Sequence, residues 1–576
     1  MIEHKAPISG IAASGDMFVA TAGYDNQVIL WDARRKTPLA RSFHDHLANQ
    51  AAFSACGRYL VTASSDRTAR VWNVPEMTLR SVLGHHQDDV EMAVFHPTKA
   101  LVATASRDHR VRVFTLDGEL VRTFEGHTAD VISVEWTGDG DQLCSSSDDG
   151  TVRRWSLASG KESGAFDMKG VETDTLVMAP DGAIYAGNDD GEIIMILGSL
   201  QRTFAAHEAG IKRLVLDPKG RALVSVSYDR TLKVWDLEAG GNPRLRLTTS
   251  LPAILWPRSC AFQGADRLVL GTFGSSYAVF DCRTELWNLD GIATTGGVNA
   301  VAFTGEDVYA VGDSGTCLKN GRPHLELGSL CNFLTPFGGA VLSGGQMGVV
   351  FDAVTGRRLY EHHSPLNCAA VFMRDGKPTA VVGTYTGEGL IFSLDAAGVP
   401  ALERIVALHA NAVKSLACSG DLIFSVSATG AAAFHSTRDL SPVLAVARAH
   451  EKIANGCTAL PDGRFASVSR DLKLRLWERP QNGRADAKII DTPHAHSIKC
   501  TAASANGLVA TGSYGGRVSV YDPRSESWTF DERLTAAGIS SLCARGDGFL
   551  ASSYDGEVYF VEPASGLWGR LAAEAL

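Results

Sequence analysis

The 576-residue sequence lacks most of the signatures that would mark an enzyme, a membrane protein or a disulfide-bonded domain. It has no run of about 18 apolar residues, so no membrane-spanning helix is expected. The opening MIEHKAPISG has no basic segment followed by an apolar one, so no secretory leader is expected either. Eleven cysteines are scattered without a CxxC or any paired spacing, which disfavours a disulfide framework or zinc site and points to reduced thiols in a cytoplasmic chain. Positive charge is also short: 54 Lys and Arg against 64 Asp and Glu give a net charge of -10, with no general attraction to nucleic-acid phosphate. GxSxG, HExxH and nucleotide-loop motifs are missing.

What is present is length and repetition. Single cores stop growing near roughly 250 to 300 residues, so two domains of similar size are expected. A small residue followed by Asp, with an aromatic six residues further on, recurs in TAGYDNQVILWD, TASSDRTARVWN, TASRDHRVRVFT, SSSDDGTVRRWS and SVSYDRTLKVWD. The aspartates Asp25, Asp66, Asp108, Asp149, Asp190 and Asp229 are spaced 41, 42, 41, 41 and 39 residues apart. The pattern weakens at Gly274, Asp313, Gly345, Thr386 and Ala428, then returns at Asp471, Gly515 and Asp555, making fourteen units. Each unit holds short β-branched runs with period-two alternation joined by turn residues, enough for four antiparallel strands.

Over essentially its whole length the chain resembles the WD-repeat family. The resemblance implies an all-β protein of two tandem seven-bladed β-propellers built from four-stranded antiparallel blades, divided as residues 1–285 and 286–576. The N-terminal PISGIAAS reads as an innermost strand and the C-terminal GLWGRLAAEAL as an outermost one. Each ring would therefore close by blade packing alone or by exchange between the propellers.

The family implies a hydrogen-bonded set of a loop His, a second-strand Ser or Thr, the turn Asp and a third-strand Trp. Carried over, these are His44, Thr62, Asp66 and Trp72; His127, Ser145, Asp149 and Trp155; His207, Ser225, Asp229 and Trp235; and His450, Ser467, Asp471 and Trp477, with His4, Thr21, Asp25 and Trp31 a further set. Ser225, His207 and Asp229 are also the residue types of a nucleophilic triad, but a triad occurs once, whereas this constellation recurs with each unit and includes a Trp. It is read as structural, with no catalytic residue assigned.

The HxH pairs His44/His46 and His494/His496 and the adjacent pairs His85/His86 and His362/His363 have metal-compatible spacing, yet one member of each falls on the loop histidine, so no metal and no cofactor is expected. Cys331, Cys368, Cys418, Cys457, Cys500 and Cys543 lie in innermost runs at differing offsets and are read as small buried residues. Glu91, Glu135, Asp174, Arg213, Asn299 and Asn367 could face an axial channel, also at differing offsets.

The residue before each turn is rich in interface-type side chains: Tyr24, Arg107, Tyr228, Phe273, Tyr385, Arg470, Tyr514 and Tyr554. A hydrated turn has no internal need for them, so they are assigned as partner-binding. The reading is a non-enzymatic protein–protein interaction scaffold in a multi-protein assembly, binding one or more proteins on its propeller faces and neither nucleic acid nor membrane. The alternative is a propeller enzyme or a small-ligand or metal sensor using an axial channel.

Overall fold

The computed structural model describes residues 2–237 and 242–571. It contains fourteen four-stranded antiparallel sheets, each formed by four consecutive strands in chain order. Seven sheets lie in the unit Met1–Thr295 and seven in the unit Gly296–Leu576. The division falls ten residues after the expected one at 285, because Leu286–Asn288 pairs with Ala278–Asp281 as the outermost strand of blade 7. That strand is only three residues long, too short to show a period. The last five residues of GLWGRLAAEAL lie outside the described residues.

Blade 6 shows how the sequence makes the fold. Its strands are Ile211–Leu216, Ala222–Ser227, Thr231–Asp236 and Arg244–Ser250, from the axis outward. All six residues of Ala222–Ser227 are buried, because alternate side chains enter different cores. Leu223 joins Tyr185 and Ile193 of blade 5, whereas Val224 and Val226 join Leu268, Leu270 and Phe280 of blade 7. The outermost strand has lost one covering neighbour, and none of its residues is fully buried.

Each ring closes on itself by packing, not by exchanged strands. In the first unit Ile8–Ser14 packs against Leu255–Gln263 and Arg267–Thr272, with Ile11, Val19, Ile29 and Trp31 sharing a core with Val269 and Tyr277. The His4 amide donates to the Ser275 carbonyl at 3.0 Å and Gln263 Nε2 to the Ala33 carbonyl at 3.2 Å across this seam. In the second unit Val298–Thr304 packs on Ile539–Arg545 and Gly548–Ser553, and the Ser540 hydroxyl donates to the Val298 carbonyl.

A bulge near the start of every innermost strand turns one side chain out of the ladder. Where that residue is Asn or Ser it reaches the next blade. Asn49 Nδ2 donates to Val90 O at 2.9 Å, Asn299 to Cys331 O at 3.2 Å, Asn332 to Leu366 O at 2.8 Å, Asn367 to Val413 O at 2.9 Å and Asn455 to Ile498 O at 2.8 Å. Ser9 does the same to Ala48 O.

Within blades, the recurring His, Ser or Thr, Asp and Trp form continuous hydrogen-bonded chains. In blade 6 Trp235 Nε1–H donates to Ser225 Oγ at 2.9 Å, the hydroxyl meets His207 Nε2 at 2.8 Å, and His207 Nδ1 meets Asp229 at 2.8 Å. The Asp229 carboxylate also accepts the Glu208 and Thr231 amides at 3.0 and 2.9 Å. Burial alone would raise the Asp229 pKa, but the His207 bond and these amides hold it down to about 2. His44, Thr62, Asp66 and Trp72 are joined at 2.8, 2.7 and 2.8 Å; His127, Ser145, Asp149 and Trp155 at 2.8 Å throughout; and His450, Ser467, Asp471 and Trp477 at 3.0, 2.7 and 2.8 Å. The set His4, Thr21, Asp25 and Trp31 is complete too, at 3.0, 2.8 and 2.8 Å.

Elsewhere the chain is truncated. In blade 3 His86 meets Thr104 at 2.9 Å but Phe114 replaces the Trp. In blade 13 His494 meets Thr511 at 2.8 Å, and Gly515 stands where the turn Asp would be. The second imidazole nitrogen of both histidines makes no hydrogen bond.

Two outcomes follow from these chains. Ser225→Ala removes the oxygen that accepts from Trp235 and donates to His207, so denaturant unfolding should show a loss of about 1 to 3 kcal/mol, whereas Ser225→Thr, which keeps the hydroxyl as Thr62 does, should lose far less. Burial pushes His86 and His494 down to about 4 from 6.5. Because the folded pKa lies below the unfolded one, stability is full above about pH 6.5 and falls as pH drops toward 4, by on the order of 3 kcal/mol per residue. Urea titrations at pH 7 and 4.5 should show this loss, and H86Q and H494Q should each reduce it.

Candidate functional site: the two channel mouths

The residues preceding the turns do not stand on a hydrated surface. Arg107 and Phe273 are buried, each 6% exposed, and Tyr24, Tyr228, Tyr385, Arg470, Tyr514 and Tyr554 are half-buried. The sequence-based premise that nothing internal needs them is therefore corrected. Tyr24 and Phe273 pack on Trp256, Arg107 on Glu91, Tyr228 beside Lys212 and Tyr385 beside Lys414, so these side chains meet residues of the irregular part of the innermost strands.

In the first propeller the bulge positions are Ser9, Asn49, Glu91, Ile132, Asp174 and Lys212, and in blade 7 the irregularity spans Trp256 and Arg258. Arg107 donates to Glu91 at 2.5 Å and Asp130 at 2.6 Å, and Arg258 takes the other Glu91 oxygen at 3.0 Å. Trp256 stacks on Phe273 at 5.4 Å, meets Tyr24 edge-on at 5.1 Å and carries the Arg258 guanidinium 5.6 Å from its ring centre. Lys212 pairs with Asp174 at 2.5 Å and with Asp189, and sits 5.1 Å from the Tyr228 ring centre. Burial and the neighbouring Glu172, Asp130 and Asp174 carboxylates push Asp148 well above the usual carboxylate range. This mouth is acidic, and its cations are met by carboxylates from its own rings.

In the second propeller the same positions hold Asn299, Asn332, Asn367, Lys414, Asn455, Lys499 and Ser540. Above them Tyr514 stacks on Tyr554 at 6.1 Å with planes 7° apart, and the Lys414 ammonium lies 5.2 Å from the Tyr385 ring centre. Asp313, read from sequence as the turn residue of blade 8, instead occupies the position before it and accepts from Asn299 Nδ2 at 3.0 Å.

The ring of bulge residues was not visible in the sequence. Glu91, Asp174, Asn299 and Asn367, read there as having no common offset, do share the bulge position. The hairpin between first and second strands varies in length, so the step from bulge to turn runs from 15 residues (Asn299 to Ser314) to 19 (Asn367 to Thr386). Lys212, Trp256, Arg258, Lys414 and Lys499 went unassigned for the same reason. Glu135 and Arg213 lie off this ring: Glu135 is raised by burial to about 7, with Arg213 opposing.

Cys368, Cys457, Cys500 and Cys543 line the second channel, whereas Cys331 and Cys418 do not. Burial pushes the Cys457 and Cys500 thiols up to about 12, which disfavours thiolate chemistry. His362, His363 and Glu388 bring three ligand-type atoms within 4.8 Å of one another. His362 Nδ1 accepts the Ser364 amide at 3.2 Å, so Nε2 carries the proton and donates to Glu388 at 3.1 Å. Glu388, two residues beyond the turn position, thus meets Nε2, where the turn Asp of the complete chains meets Nδ1.

Five segments, residues 1–32, 38–73, 77–115, 118–156 and 198–236, match the family described as WD domain, G-beta repeat. They cover the first three strands of blades 1 to 4 and 6, mostly with the outermost strand of the preceding blade; blade 12 carries the same hydrogen-bonded set outside them. The chain is 24% identical over 267 residues to the transcriptional corepressor LEUNIG_HOMOLOG of Arabidopsis thaliana, covering 38% of this chain and 33% of that protein. It is 29% identical over 265 residues to the nuclear distribution protein PAC1 of Arthroderma otae, covering 40% and 48%. It is 31% identical over 98 residues to the WD repeat, SAM and U-box domain-containing protein 1 of Danio rerio, covering 16% and 20%. Each alignment thus spans less than half of the relative's own length. These matches show WD domain, G-beta repeat units in the first part of the chain, and the remaining sheets repeat the same four-stranded antiparallel pattern.

Proposed function

We propose that the chain is a non-enzymatic interaction scaffold that holds one or more proteins, within a multi-protein assembly, on the faces carrying the channel mouths. The observation that carries this reading is preorganisation. Half-buried Tyr24 and Tyr228 are fixed by Trp256 and Lys212, while Phe273 and Arg107 are buried against Trp256 and Glu91, so a partner meets tyrosine rings whose rotamers are already ordered. In the same unit Asp45 and Glu208 bond the turn aspartates through their backbone amides and leave their side chains exposed, as Glu451 does in the second unit. Similarity to a named corepressor and a nuclear distribution protein supports protein partners as a class. In this proposal the chain is cytoplasmic.

A second reading, an enzyme or small-ligand sensor using the axial channel, draws on Glu135, whose pKa near 7 suits proton transfer. A metal bound to purified protein in elemental analysis would also favour it.

Affinity purification from the native organism, with mass spectrometry of what co-purifies, should recover specific proteins. Tyr228→Ala or Tyr554→Ala should cut that recovery at least severalfold while circular dichroism and the unfolding midpoint show a folded protein. Unchanged recovery with both substitutions would remove the mouths as the partner surface.

A further inference from the structure

We propose that the channel of the second propeller binds a small neutral polyol, a cyclitol or a monosaccharide, through a ring of asparagine carbonyls. Asn299, Asn332, Asn367 and Asn455 are the bulge residues of blades 8, 9, 10 and 12. All four line one cavity of about 430 Å³, a volume that holds a six-membered ring bearing hydroxyls.

Each asparagine is held by its amide nitrogen, which donates to a carbonyl of the next blade: Cys331, Leu366, Val413 and Ile498 respectively. Turning an amide over would set its Oδ1 against that carbonyl, so the orientation is fixed. Among the described residues the four Oδ1 atoms accept no hydrogen bond from the protein. The hydroxyls of the same wall behave alike. Thr501 donates to Ala510 O at 2.8 Å, Ser415 to Cys457 O at 3.4 Å and Thr335 to Ala369 O at 3.4 Å, which leaves their oxygens as acceptors. The wall is therefore rich in acceptors and favours a ligand rich in donors.

Charge narrows the choice. A cation would supply donors, but Lys414 and Lys499 line this cavity and no aspartate or glutamate does, so a positive ligand is repelled. An anion brings no hydrogen for the amide and hydroxyl oxygens. A neutral ligand with several hydroxyls meets both conditions, since each hydroxyl can donate to a wall oxygen and accept from an amide or ammonium hydrogen. Acceptors placed around an axis suit a ring whose hydroxyls radiate from its rim. In the first propeller an asparagine holds this position only in blade 2, as Asn49, with Glu91, Asp174 and Lys212 at others, and the ring of amides is lost. The inference needs none of Glu135, Tyr228 or Tyr554, so its failure leaves both readings above standing.

Saturation-transfer NMR on the full chain, in buffer free of glycerol and sugars, tests it with myo-inositol, D-glucose and cyclohexanol, the last a ring of the same size with one hydroxyl. Saturable transfer to at least one of the two polyols is expected, with clearly tighter binding than cyclohexanol. Asn367→Leu should abolish it, whereas Asn49→Leu, which gives up the same inter-blade bond in the first propeller, should leave it intact. If Asn367→Leu fails to fold by circular dichroism, Thr501→Val, close in shape but without the hydroxyl, decides by weakening polyol binding about fivefold. No saturable transfer to either polyol at tens of millimolar, equal affinity for cyclohexanol, or unchanged binding in the folded channel variant would overturn the site.

Discussion

The constraint shared by all fourteen blades is the bulge near the start of the innermost strand, from which Ser9, Asn49, Asn299, Asn332, Asn367, Asn455 and Ser540 each reach a backbone carbonyl of the next blade. Strands converge there, and a bulge frees one side chain to leave the ladder and reach sideways. Asn and Ser are the residue types that fit, being short and able to donate. Without an exchanged strand to lock the ring, this contact, the cores between blades and the seam bonds at His4 and Ser540 are what close it. Further out, the His–Ser/Thr–Asp–Trp chain ties the loop, second strand, turn and third strand of a blade into one unit.

Substituting the bulge residue therefore does two things at once. It gives up an inter-blade bond and places new chemistry on the channel wall. The first propeller uses the position for Glu91, Asp174 and Lys212, which neutralise and orient the mouth's own guanidinium and aromatic groups. The second keeps mostly asparagines, with Lys414 and Lys499 at the position in blades 11 and 13. One scaffold thus presents an acidic, internally paired mouth in one unit and a mainly asparagine-lined channel in the other.

The sequence carried the period, the fold class and the four-residue chains, because a turn Asp and a Trp six residues apart sit on a hairpin of constant length. It did not carry the ring at the axis, since the hairpin joining first and second strands differs from blade to blade, as between Asn299 and Asn367. The inward role of Tyr228 or Arg107 was hidden for a related reason: their partners, Lys212 and Glu91, sit across that variable hairpin. The domain boundary slipped because three residues, Leu286–Asn288, complete a blade whose outer strand is too brief to show alternation. Asp313 looked like a turn residue because the true turn position is a serine.

The central claim, that proteins are held at the channel mouths and not on the outer strands, is tested most directly by site-specific photo-crosslinking in cells. A photoreactive residue at position 45 or 208, on the mouth rim of the first propeller, is compared with one at position 82 or 200 on outermost strands. The account predicts discrete crosslinked partner bands from the mouth positions and none from the outer strands. Partner bands arising only from positions 82 and 200 would contradict it.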